Sequence, residues 1–253
     1  MRLSRLAQTL AVVALTASPL GGAVVSAQEA TPAASTDASP IAGTGACTAI
    51  PAATPVAYAD VDPTTLDLDV LYIDAIVPYH EAAIFIAREA QARSTRTEVV
   101  SLAAAIAERR VAELEQLRTW RAEWYPDVPP LTEAQRFAGL EAKLASPGAG
   151  GVAGLADLTA ATVEHIVADV CDEAADIDLS FIDATVELSS GATQLSDLAA
   201  TQALDADLGA FAGALRQSLE DERAQLLSWR DAWYGGVPSG DHHADGPSGT
   251  PAP

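Results

Sequence analysis

Trp120-Arg121-Ala122-Glu123-Trp124-Tyr125 returns, 109 residues further on, as Trp229-Arg230-Asp231-Ala232-Trp233-Tyr234. Working outward at the same offset, Asp69 falls on Asp178, Ile73-Asp74-Ala75 on Ile182-Asp183-Ala184, Val77 on Val186 and Ala83 on Ala192. Glu113 falls on Glu222, Gln116-Leu117 on Gln225-Leu226, and Val128-Pro129 on Val237-Pro238. All four tryptophans of the chain take part, without a gap. Self-similarity of this kind marks a duplicated unit and decides the architecture before any single residue is weighed.

Each unit reads as two helices. In unit one the spacing predicts a first helix over about 67–92, with the stripe Val70, Ile73, Val77, His80, Ile84 and Ala87. A second helix is predicted over about 97–124, with the stripe Val99, Ala103, Ile106, Arg110, Glu113, Leu117, Trp120 and Trp124. Its counterpart in unit two is Leu208, Ala212, Leu215, Leu219, Glu222, Leu226, Trp229 and Trp233. Steps alternating between four and three are the seam spacing of antiparallel bundles. One hairpin cannot bury such a stripe, but two can bury theirs against each other. The expected fold is therefore all-α, a four-helix bundle of two repeated hairpins. Pro78 should kink the first helix. Between the units, Leu131 to Ser146 reads as an extra helix with Thr132 and Gln135 as a capping box. Pro147 to Gly154 reads as a loop, and Leu155 to Val170 as another helix.

The flanks differ in composition. Residues 1–27 read as a secretory signal: Arg2 and Arg5, an apolar run from Leu6 to about Leu15, and a small-residue cleavage site at Val25-Ser26-Ala27. The run is too short for a membrane anchor. Residues 28–57 and 236–253 are rich in Ala, Thr, Pro, Ser and Gly and read as a disordered spacer and tail. The bundle then occupies 58–235, with repeat one at about 67–129, connecting helices in 131–170 and repeat two at about 176–238. The net charge of -21 becomes more negative once the leader is removed. It disfavours nucleic acid and anionic lipid as partners and favours solubility; with the signal, the expected location is exported, whether extracellular, cell-surface or periplasmic. The two cysteines, Cys47 and Cys171, are expected to pair in an oxidising compartment. The bridge would close a loop of about 125 residues, worth about 4–5 kcal/mol on the chain-entropy account.

The segment Tyr72-Ile73-Asp74-Ala75-Ile76-Val77-Pro78-Tyr79-His80-Glu81-Ala82-Ala83 resembles the signature of the "domain of unknown function 305" family, roughly F-[IL]-D-x-M-I-P-H-H-x-x-A. That signature is followed by a second helix with a Glu and a terminal Trp, here Glu113 and Trp120. The resemblance spans about residues 67–237 and implies a ferritin-like exported bundle, some members of which bind copper through His and Met, soft ligands suited to Cu(I). Unit one keeps one motif histidine, in Ile76-Val77-Pro78-Tyr79-His80. Unit two, with Thr185-Val186-Glu187-Leu188-Ser189, keeps none, and the one methionine is Met1, inside the expected signal. A site of the family's type is therefore largely degenerate here.

What remains is His80, Asp74, Glu113, Asp183 and Glu222. On one reading these five form an oxygen-rich site with a single imidazole, taking a divalent ion such as Zn or Mn, or copper. On the other they are buried pairs, with Arg110 facing Glu113 and the aspartates bonded to helix backbone or Trp N–H, because ionised groups in a core need partners. No Glu is followed three residues later by His, which excludes a ferritin-type di-iron pair. His165 reads as a surface residue, and His242-His243 as a chance pair in the tail. No Ser-His-Asp ordering, phosphate loop or Cys-x-x-Cys supports catalysis. The expected function is a noncatalytic exported binding module with weak metal binding. The alternative is a structural or interaction module of the bacterial envelope, its partner an envelope protein rather than a metal ion.

Overall fold

The computed structural model describes residue 47, residues 61–144 and residues 160–235. Six helices run through these: α1 (Leu68–Arg93), α2 (Thr97–Trp124), α3 (Glu133–Leu144), α4 (Ala160–Cys171), α5 (Ile177–Gln202) and α6 (Ala206–Tyr234). A 3₁₀ turn at Pro63–Thr65 precedes α1, and there is no strand among the described residues. The signal, the 147–154 loop, the start of the fourth helix, the tail with His242-His243, and all of the spacer except Cys47 lie outside the described residues.

The helices begin where local chemistry can satisfy their first amides. Asp176 accepts from the N–H groups of Asp178 and Leu179 at the head of α5, and Asp205 from those of Asp207 and Leu208 at the head of α6. At α3 the expected capping box forms: Gln135 N–H donates to Thr132 Oγ1 at 3.1 Å, and Thr132 N–H to Gln135 Oε1 at 2.8 Å. α1 continues through Pro78 as one helix.

Four helices make the bundle. α1 and α2 form one antiparallel hairpin, α5 and α6 the other. The hairpins meet with α1 antiparallel to α5, since Tyr72 near the start of α1 bonds Ser196 late in α5. α2 is likewise antiparallel to α6, with Trp120 edge-on to Phe211 at one end and Arg96 over Trp233 at the other. The expected seam is buried: Val99, Ala103, Ile106, Leu117 and, from the partner hairpin, Leu208, Ala212, Leu215, Leu219 and Leu226. Its tryptophans are half-buried and stacked in pairs, Trp120 on Trp124 and Trp229 on Trp233.

α1 buries far more than the one stripe foreseen, including Leu71, Tyr72, Ile76, Tyr79 and Ile86. The reason is that α3 and α4 also pack on it. Leu71 sits against Gly139 of α3, and Arg93 donates to the carbonyls of Val170 and Asp172 at the end of α4. α1 is also the one described helix long and apolar enough to cross a membrane, and most of that stretch is buried inside the bundle as a core helix. Cys47 and Cys171 stand at disulfide distance, with Cα atoms 5.4 Å apart, tying the arm before the first repeat to the end of α4.

Candidate functional site

The core carries charge where the two hairpins meet. Arg110 of α2 is fully buried. Its Nη1 donates to Glu113 Oε2 at 2.7 Å, one turn on in the same helix. Its Nη2 donates to Glu222 Oε2 of α6, also at 2.7 Å. Glu113 and Glu222 are repeat equivalents, so one guanidinium spans the seam between two matched carboxylates. Its plane matches them well, each N–H edge serving one oxygen. The residue equivalent to Arg110 in the second repeat is Leu219, so the arrangement has a single cation at its centre.

His80 of α1 closes the network. It is fully buried, with Nε2 3.1 Å from Glu113 Oε2 and Nδ1 2.9 Å from the Ile76 carbonyl oxygen. Both ring nitrogens thus stand within hydrogen-bond distance of an oxygen. Glu222 takes two further bonds, from Ser218 Oγ at 2.9 Å and from Arg109 Nη1 at 2.7 Å. Tyr79 packs edge-on to His80, and the Arg110 guanidinium carbon lies 5.9 Å from the centre of its ring.

The electrostatics follow from these contacts. Burial works to push the Glu113 carboxyl up, but the His80 hydrogen bond and the Arg110 charge outweigh it and hold the group below its ordinary value. Burial works to lower the Arg110 guanidinium, and the Glu222 and Glu113 carboxylates beside it raise it instead. Burial pushes the Tyr79 hydroxyl up to about 12, so it stays neutral.

The five residues singled out from sequence do not converge. His80, Glu113 and Glu222 share one network, with Glu222 joined through Arg110. Asp74 is instead clamped by Arg121, with Nε at 2.6 Å from Oδ1 and Nη2 at 3.2 Å from Oδ2. Asp183 is clamped the same way by Arg230, at 2.5 and 3.1 Å. Because α2 and α6 are antiparallel, these clamps fall toward opposite ends of the bundle. The aspartates therefore pair with arginine rather than with helix backbone or Trp N–H. The signal was present in the sequence: Ile-Asp-Ala and Trp-Arg recur together in both repeats. Among the described residues, no group of three or more His, Cys, Asp and Glu side chains is placed to hold a metal ion. His165 is 72% exposed, near Asp169 on α4.

Sequence reasoning also missed a reciprocal contact at the hairpin ends. Asp69 of α1 accepts from the N–H groups of Leu204 and Asp205 at 2.8 and 2.9 Å, fixing the α5–α6 turn of the other hairpin. Its equivalent, Asp178, takes the Arg96 Nε at 2.9 Å from the α2 end of hairpin one.

The family model described as "Domain of unknown function (DUF305)" matches residues 53–121 and 69–230. Among solved structures, the Cu(I)-bound form of CopM is similar at 18% identity and a TM-score of 0.48, over 66% of this chain and 98% of that one. The Ag-bound form of CopM, obtained by soaking, is similar at 19% identity and a TM-score of 0.47, with the same shares covered. No match is found among the curated proteins.

Proposed function

The chain belongs to the DUF305 family, and from that premise we propose that it is an exported helical-bundle module that works by contact with an envelope partner, its core polar site being closed by internal ion pairs rather than by a metal. The observation that carries the metal-free part of this reading is the Arg110 guanidinium standing between Glu113 and Glu222; the envelope partner is the alternative that remains for a bundle without a metal. A metal of the kind the family resemblance implies does not fit the donors present. The only imidazole of the site has both nitrogens engaged. Both carboxylates are held by a fixed positive charge that would repel a metal cation. The chain's one methionine is Met1. The acidic surface and the Ala- and Pro-rich stretch of residues 28–57 suit a soluble module with reach.

The test is metal content and copper and zinc titration of residues 28–253, without an affinity tag, beside His80→Ala. The expected result is no ion bound in stoichiometric amount by either protein. One tightly held ion per chain, lost in His80→Ala, would overturn the reading in favour of a surviving metal-binding module. The retention of His80 at its motif position against Glu113 is the observation that favours this second reading.

A further inference from the structure

The network asks for a cation at one defined point, and the chain supplies it from the head of a fully buried side chain. Arg110 is fully buried, yet its Nε has no hydrogen-bond partner. Only the two terminal nitrogens are used, one on each carboxylate. The repeat frame sharpens the point, because Leu219 fills the same position in the other hairpin without a polar group. The arginine therefore supplies the one cation placed between the two matched carboxylates.

We propose that Glu113 and Glu222, with His80 behind Glu113, form a built guanidinium-class cation site at the hairpin interface, of which Arg110 is the tethered occupant. This rests on the reading that the core takes no metal, and it extends that reading by naming the chemistry the site does accept. A planar cation with N–H groups on two edges satisfies both carboxylates at once. A spherical divalent ion would meet no third protein ligand free to bind, since Glu113 Oε2 is already shared with His80 Nε2.

The experiment cuts the tether and returns the head. Arg110→Ala in the full mature chain is expected to melt well below the wild type. Guanidinium chloride at about 20 mM should then raise its melting temperature by about 4 °C or more, as a ligand bound only by the folded state does. Tetramethylammonium chloride at equal concentration, which lacks N–H donors, should not. Wild type, whose site is filled by Arg110, should show no rise. Zinc chloride should not replace guanidinium. Rescue by zinc, equal rescue by tetramethylammonium, or no rescue by any cation would each overturn the assignment.

A second comparison covers the case in which Arg110→Ala fails to fold. Arg110→Leu leaves two buried carboxylates without their cation. Adding Glu113→Gln and Glu222→Gln to it should therefore raise the melting temperature above that of Arg110→Leu alone. A triple variant no more stable than Arg110→Leu would refute the idea that the carboxylates define the site. Metal titration of the wild type tests the earlier reading separately, so the failure of one is distinguishable from the failure of the other.

Discussion

Replacing Glu222 by Gln keeps the shape of the side chain and removes one charge from the centre of the bundle. Glu222 has three contacts. The one with Arg109 involves a side chain 43% exposed and screened by water, so its loss is worth little. The Ser218 bond survives, because an amide can still accept from or donate to a hydroxyl. The deficit therefore falls on Arg110, which is fully buried and would keep only Glu113 as a charged partner. Breaking a buried pair from one side costs about 3–5 kcal/mol. Gln still offers one carbonyl oxygen to Nη2, which brings the expected loss to about 2–3 kcal/mol. For a folded region of this size, that corresponds to a fall of roughly 4–12 °C in melting temperature. Circular dichroism melts and urea titrations at pH 7, compared with the wild type, would measure it. A change within about 1 °C, with an unaltered denaturant slope, would show that Arg110 does not depend on Glu222. It would remove the basis for treating the three side chains as one network.

Stability should fall on acidification through Glu113. Its folded-state carboxyl is held low, so its contribution is complete above the ordinary carboxylate range and is lost as pH drops below it. Asp69, raised by burial, works in the opposite sense. Glu113→Gln should therefore flatten the acid limb of a plot of melting temperature against pH, and an unchanged limb would contradict this. Gly139→Ala should destabilise by about 1–3 kcal/mol, since the added methyl would lie 2.5 Å from Leu71 Cδ2 and 3.0 Å from the Pro63 carbonyl oxygen. Equal urea midpoints for variant and wild type would show that Leu71 can move aside. Cys171→Ser should lower the melting temperature in non-reducing buffer and abolish the effect of added reductant, with about 5 kcal/mol as the upper bound from loop closure. Melts with and without dithiothreitol decide it.

The bundle itself was legible because its seam is written twice. The tryptophans, the four-three spacing and the 109-residue offset together identified four helices and their pairing by hairpin. The Thr132–Gln135 box was readable because capping is local, involving residues three apart. What could not be read was where charges go across the seam. Arg110 sits on the predicted stripe, and its bond to Glu113 follows from helical spacing. Its bond to Glu222 depends on the relative height of two antiparallel helices, which no pattern within one helix specifies. Asp74 and Asp183 were grouped with the core because they flank the stripe. Their actual partners, Arg121 and Arg230, lie beside the very tryptophans used to find the repeat. The burial of α1 on several sides was missed for a related reason. A helix wrapped by α3 and α4 as well as by its bundle partners keeps only a narrow polar face, with Glu81 and Arg88 exposed, so a single stripe understates its burial.

The single arginine also settles which halves can join. A pair made from two copies of the second hairpin would set Glu222 against Glu222 with only Leu219 beside each, leaving two carboxylates in an apolar interior without a counter-charge. A pair made from the two different hairpins supplies the missing cation from Arg110. The duplicated halves have thereby become complementary rather than identical. The second half, lacking that arginine, would be disfavoured against its own kind, a preference that the repeat alone would not provide.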